Sequence, residues 1–390
     1  MTVAGDRIRR IEIIPIAVPF TEPELSATQS RRGFNNVLVR LETEGGIVGW
    51  GEASGTSGAP IGALLETMEL LAPFAAGRSV FHVEAIRARL LDLGRMANVR
   101  RLAHLALAAI DTACGDAAGR IVERPLHELL GGAVRDEIDF YGYPLAKAAA
   151  EVAQEAVRFC NQGFTVVYLK VGLGDDHDEG VVRAVREAVG PDVRIRVDAN
   201  EAWDVATARR MSYRLEPYGI DFLEQPTDAR NLDAMREVRR TTRIPIAANQ
   251  GIWSLAEAVA AIRAEACDVI VTGPPWIGGL LPFQRVGALC AETGIGFCRH
   301  AAPETSIGTV AGMHVLATVP RLLDGNQTYL YHLAEDVSDD LAPAFRARLP
   351  LPHGAGLGIH VDEDRVAALA ARYRTDGPFA QNDRAPAPGS

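Results

Sequence analysis

From about residue 137 onward the chain repeats one unit: a short β-branched or apolar run, a turn, then an amphipathic stretch rich in alanine and arginine. The strand-like runs are 138–144, 165–172, 194–200, 220–226, 244–250, 267–273, 294–300 and, less regularly, 327–333. Helical segments lie between them at 149–160, 178–189, 205–215, 231–239, 255–264, 283–292 and 306–319. Eight strands alternating with helices over roughly 200 residues predict an α/β fold, a compact (β/α)8-type barrel. A doubly wound open sheet is the structural rival, but no Gly-x-Gly-x-x-Gly turn follows the first strand.

The segment before the barrel reads differently. Runs 9–18, 36–43 and 46–51 have the pattern of antiparallel strands, joined by a polar loop at 21–33 and a turn at Glu44-Gly45-Gly46, and helical stretches follow at 61–75 and 101–118. An α+β module is therefore expected over 1–130, completed by part of 350–375, with the barrel over 131–350. The end, 376–390, is rich in proline, alanine and glycine and is expected to be a flexible tail.

With 390 residues, 48% of them hydrophobic, the chain can bury large cores, which argues against global disorder. A net charge of −10 and the lack of basic runs interleaved with aromatics argue against nucleic-acid binding. A small anionic substrate stays open, because local charge decides that. The five cysteines, odd in number and with no Cys-x-x-Cys pair, read as reduced packing residues. The first residues carry no leader pattern and no run of 18 apolar residues occurs, so a cytoplasmic protein without membrane contact is expected.

In a (β/α)8 barrel reactive groups collect at the carboxyl ends of the strands, which ring one open mouth. Those ends read Tyr168-x-Lys170, Asp198-Ala199-Asn200, Glu224-Gln225-Pro226, Asn249-Gln250, Gly273-Pro274 and Arg299-His300, one βα unit apart. Lys170 is one of two lysines among 40 basic residues, the other being Lys147, read as a surface residue. Unlike arginine, a lysine can lose its proton near neutral pH and act as a general base. Asp198, Glu224 and Asn249 on adjacent strands offer two charged oxygens and one neutral one, which suits Mg²⁺; zinc lacks sulfur or clustered histidines. Taken singly, Asp198 and Glu224 also read as helix N-caps, since each precedes a turn into a helix. An ion there, bound to a substrate carboxylate, would stabilise the enediolate formed when a proton is removed beside it, with Lys170 on one face and His300 on the other as base or acid. Taken alone, His300 reads more readily as a core histidine hydrogen-bonded to a carbonyl.

With those parts the chain resembles the enolase superfamily, in its mandelate racemase/muconate lactonizing enzyme-like members, over nearly its whole length. The N-terminal module is similar to that family's capping domain, and Val197-Asp198-Ala199-Asn200 and Leu223-Glu224-Gln225-Pro226 stand where it carries its first two metal ligands. Ile244-Pro245-Ile246-Ala247-Ala248-Asn249 is similar to the glucarate dehydratase branch, whose third ligand is asparagine; Gly273-Pro274-Pro275-Trp276 and His300 also match that branch. Glu304 falls in the loop after His300. Two positions depart: the family's Lys-x-Lys is Tyr168-x-Lys170, and the aspartate that orients the histidine corresponds to Gly273, leaving a water or another acid such as Asp324 to substitute.

The resemblance implies a Mg²⁺-dependent acid-sugar dehydratase acting on a small carboxylate, with Lys170, His300 and Tyr168 catalytic and a homo-oligomeric assembly. A racemase, epimerase or cycloisomerase on the same enediolate is the alternative, and a non-catalytic binding or structural homologue is the second. Substrate contacts are expected from Asn200 and from Gln29, Arg31 and Arg32 of the capping loop, whose arginines can hold a distal carboxylate, and from the 54–60 turn.

Overall fold

The computed structural model describes residues 4–25, 30–55, 60–145, 148–341 and 346–379. The N-terminal domain is an antiparallel sheet in the order β1 (Ile8–Leu25), β2 (Ser30–Thr43) and β3 (Val48–Ser54). The stretch expected as a polar loop at 21–33 is instead a long hairpin: Glu24 pairs with Arg31 and Leu25 with Ser30. Register breaks between Pro19 and Glu24, where Pro19 and Pro23 have no N–H to give to a ladder. Polar side chains concealed these arms as strands because they extend beyond their own domain's core, toward the barrel.

Alternation along β2 buries Val37, Val39 and Leu41 under helices Ile61–Leu71, Val83–Met96 and Arg100–Ile121, while Phe34 and Leu38 face the barrel-side core. The helix Val83–Met96 had not been expected. Helix Arg100–Ile121 lies close on β3: a Cβ at Gly51 would sit 1.9 Å from the Ala109 carbonyl oxygen, so glycine and the alanine-rich helix face are one packing device. The helix Glu363–Asp376 packs on β1. Of the stretch expected as a tail, Phe379 is held by two hydrogen bonds, its N–H to Asn35 Oδ1 and its carbonyl from Asn35 Nδ2, both 2.9 Å; residues 380–390 lie outside the described residues.

After β4 (Glu137–Asp139) the barrel strands follow: β5 (Val166–Lys170), β6 (Arg194–Asp198), β7 (Ile220–Glu224), β8 (Ile246–Ala248), β9 (Val269–Thr272) and β10 (Gly296–Arg299). β5 to β10 form one parallel sheet in sequence order, and the wall closes through single bonds. Gly142 donates to Val166 O (2.9 Å), Asn326 to Asp139 O (2.9 Å) and Gln327 to Arg299 O (3.1 Å). Closure rules out the doubly wound sheet.

The eighth expected strand, 327–333, is not built as a ladder: Asn326 just before it bridges Phe140, Leu333 at its end bridges Phe20, and Leu330–His332 between them is a 3₁₀ helix. Asn326 side-chain bonds to Arg299 N and Leu323 O, and Thr328 Oγ1 accepting from Leu330 N, compete with a ladder there. A last strand, β11 (Arg348–Pro350), pairs with β4.

The barrel is filled by Phe222, Ala247, Val269, Val271 and Cys298. Beneath them lies buried Arg196, bonded to Asp221 (2.7 Å) and stacked 4.5 Å over the Phe222 ring. All five cysteines are free. Among the described residues no helix is long and apolar enough to cross a membrane.

Candidate active site

Parallel register sets Lys170 beside Asp198 and Asp198 beside Glu224, so the last residues of β5, β6 and β7 stand at one level of the mouth. Neither carboxylate is a helix cap: the helices that follow are capped by Asp204 and Asn231. Asp198 is fully buried. Its Oδ2 accepts from Lys170 Nζ and from the Tyr168 hydroxyl, both at 2.6 Å, and its Oδ1 from the N–H of Asn200 at 2.8 Å. Asn200 reaches that position with φ +46°, in the left-handed region that asparagine tolerates. The tyrosine standing where a lysine is usual therefore supplies a second donor without a second charge. Burial, and then the Asp198 and Glu224 carboxylates, push its hydroxyl well above the ordinary range, so it stays a donor.

Glu224 is buried, and its Oε1 has no hydrogen-bond partner. Burial, then the charge of Asp198, raise its carboxyl well above the usual range, against the opposing pull of Lys170. A lone carboxylate oxygen beside a second carboxylate is costly unless a cation completes it. The third oxygen is at hand: Asn249 donates Nδ2 to Val271 O at 2.8 Å, which orients the amide with its oxygen away from that strand. Among the described residues no three His, Cys, Asp or Glu side chains group as a metal site, so the donor set here is two carboxylates and one amide. All-oxygen donors of that charge fit Mg²⁺.

On the other side of the mouth, His300 directly follows β10 and its N–H donates to Thr272 O at 2.8 Å. Its ring is half-buried and lies 4.3 Å from the Trp276 ring, and its buried Nδ1 has no partner. Burial, then Lys170, Arg299 and Arg31, hold the imidazole well below its ordinary pKa, so it is neutral near pH 7. Gly273 offers no room for an orienting aspartate, because a Cβ there would lie 2.3 Å from the His300 carbonyl oxygen. Asp324 does not substitute: it pairs with Arg194 at 2.9 Å near Arg135, Asp136 and Asp139, at the amino-terminal end of the strands. Glu304 forms a buried pair with Arg299 and accepts from Thr309 Oγ1.

The hairpin arms of β1 and β2 cover the mouth. Arg31 is buried and ion-paired to buried Glu24, whose Oε1 also accepts from the hydroxyls of Tyr143 (2.9 Å) and Tyr329 (3.2 Å) of the barrel. Lys170 Nζ lies 5.9 Å from the centre of the Tyr143 ring, so this cluster adjoins Lys170. Arg32, the next residue, is exposed. Gln29, Lys147 and the centre of the 54–60 turn lie outside the described residues. Glu24, Tyr143, Tyr329 and the stacking role of Trp276 were not found from sequence. A glutamate directly after Pro23 and seven residues before Arg31 was the available signal for Glu24; nothing local marked the tyrosines.

Residues 10–131 match the family described as mandelate racemase / muconate lactonizing enzyme, N-terminal domain, and residues 151–365 the family described as enolase C-terminal domain-like. A chloromuconate cycloisomerase from Cupriavidus pinatubonensis is 33% identical, over 86% of this chain and 91% of that protein. A probable glucarate dehydratase from Streptomyces coelicolor is 29% identical, over 97% and 95%. The crystal structure of a dipeptide epimerase from Enterococcus faecalis complexed with Mg and the dipeptide L-Leu-L-Tyr is similar with a TM-score of 0.85 at 28% identity, covering 90% of this chain and 99% of that one.

Proposed function

The chain belongs to the enolase superfamily, among its mandelate racemase/muconate lactonizing enzyme-like members, and on that premise we propose that it is a Mg²⁺-dependent acid-sugar dehydratase. Asp198, Glu224 and Asn249 would hold the ion. When bound, Mg²⁺ supplies positive charge that stabilises a substrate carboxylate gaining electron density.

Lys170 takes the C2 proton of a polyhydroxy carboxylate, leaving an enediolate. Tyr168 donates to Asp198 and keeps that carboxylate in place as the lysine moves. The C3–O bond then breaks, and His300 gives a proton to the departing hydroxide. The incoming substrate carboxylate offsets the positive field of Lys170, Arg299 and Arg31, which raises the proton affinity that burial has depressed. Water leaves, and the enol tautomerises to a 2-keto-3-deoxy acid.

The observation that carries this reading is the unequal pair of candidate bases: Lys170, anchored to Asp198, stands against a half-buried imidazole with no carboxylate partner among the described residues. A two-base racemase needs good bases on both faces; a dehydratase needs one. The second reading, an isomerase on the same enediolate, is favoured by the cycloisomerase and the epimerase among the similar proteins.

Proton NMR in D₂O with Mg²⁺ and a panel of acid sugars tests both. We expect keto-acid formation by the wild type and a loss of roughly 10²–10⁴-fold in Lys170→Arg, which keeps the charge but not the base. His300→Asn should lose dehydration yet still exchange the C2 proton. Interconversion of C2 epimers without keto product would replace this reading with the isomerase, and no exchange with any acid would replace it with a non-catalytic role.

A further inference from the structure

The charge arrangement over the mouth bears on the far end of the substrate. Arg31 is the cap arginine turned inward, and its field reaches His300. The charge of that guanidinium is already compensated: Nε is bound to Glu24 Oε2, and Nη2 lies 3.4 Å from the Tyr329 hydroxyl. Glu24 in turn takes hydroxyl protons from Tyr143 and Tyr329 on its other oxygen. Arg31 and Glu24 are 7% and 3% exposed, so the pair is self-neutral in a low-dielectric place, where a further uncompensated charge is expensive. The nearby Arg299 is likewise neutralised, by Glu304, and Arg32 is exposed.

We infer that this site takes acid sugars carrying one carboxylate, aldonate-type monoacids with a neutral hydroxylated distal end, and rejects the corresponding diacids. The inference rests on the proposed proton abstraction beside a carboxylate. A distal carboxylate would arrive next to Glu24, where the described cations Arg31 and Arg299 are already paired to carboxylates. A hydroxyl meets no such repulsion, and it can both accept from the guanidinium and donate to Glu24 or a tyrosine oxygen. Glu24 thus acts as a specificity residue that cancels the arginine a diacid would use.

The test compares matched pairs, gluconate against glucarate and galactonate against galactarate, with C2 deuterium exchange and keto-acid formation as readouts. In the pair that reacts, the wild type should favour the monoacid by about tenfold or more in kcat/KM. Glu24→Gln removes the cancelling charge and should shift the ratio toward the diacid by about tenfold or more. The double variant Glu24→Gln/Arg31→Gln is again neutral and should restore the monoacid preference; it also covers the case in which unpaired buried Arg31 prevents the single variant from folding. A wild type that turns over the diacid as well as the monoacid overturns this inference while leaving the proton-abstraction reading intact, as does an unchanged ratio in a folded Glu24→Gln protein. Exchange with neither member of any pair refutes the proposed function itself, and this inference with it.

Discussion

Gly273→Ala probes the contact that most separates this site from one with an oriented histidine. Gly273 has φ −153°, which any residue adopts, so backbone conformation is not the obstacle. The obstacle is space: the added Cβ would lie 2.3 Å from the His300 carbonyl oxygen and 3.0 Å from Trp276 Cζ3. The first of these is backbone and cannot rotate away, so the loop after β9 must part from the end of β10. Forcing one extra carbon into a packed site costs about 1–3 kcal/mol. The His300 N–H to Thr272 O bond, 2.8 Å, lies at the same seam and adds about 0.5–1.5 kcal/mol if it breaks. The sum is about 1.5–4.5 kcal/mol, read as a drop of several degrees in the thermal unfolding midpoint. Because the same shift moves the imidazole off the Trp276 face, dehydration should fall by about tenfold or more while C2 exchange persists. A Gly273→Ala protein with wild-type stability and unchanged dehydration would refute the claim that close packing keeps a partner side chain from His300. Gly273→Asp should then behave as a restored dyad, with a raised histidine pKa by NMR.

Two further outcomes are expected. Asp198→Ala should abolish Mg²⁺ binding in calorimetric titration, whereas Asn249→Ala, which removes a neutral ligand, should weaken it less; unchanged affinity in Asp198→Ala would eliminate the site. Glu52 joins β3 to the loop after His300, accepting from Thr305 N (3.0 Å), Thr305 Oγ1 (2.7 Å) and Asn36 Nδ2 (2.6 Å). Burial, then the Glu304 carboxylate, raise it to about 7 although those donors pull it down. A carboxyl whose folded pKa lies above its unfolded value binds more protons when folded, so its contribution is present below about pH 4.5 and is lost as pH rises toward 7. Chemical denaturation of the wild type across that window should show falling stability, and Glu52→Gln should flatten the slope; an identical slope in the variant would remove Glu52 as the cause.

The course of the barrel was open to sequence reading because its information is local. Strand runs of 138–144 through 294–300 alternate with amphipathic helices at βα spacing, and parallel pairing of such units leaves little freedom in register. Lys170, Asp198 and Glu224 therefore had to arrive at one level, as their pairing has it. The eighth strand was misread for the same reason that the others were read correctly: its apolar pattern is strand-like, but Asn326 and Thr328 side chains take the bonds that a ladder needs.

What only the tertiary structure decided is which charges face one another across the two domains. Glu24 meets Tyr143 and Tyr329 across 119 and 305 positions of chain, and no periodicity carries a contact of that range. From the sequence alone Arg31 and Arg32 were equivalent candidates for an anion. Alternation along β2 leaves Arg32 exposed, whereas Arg31 turns inward onto a carboxylate. The availability of a positive charge to a ligand depends on what else is within a few ångströms of it after burial, and that is a property of the assembled fold, not of the residue.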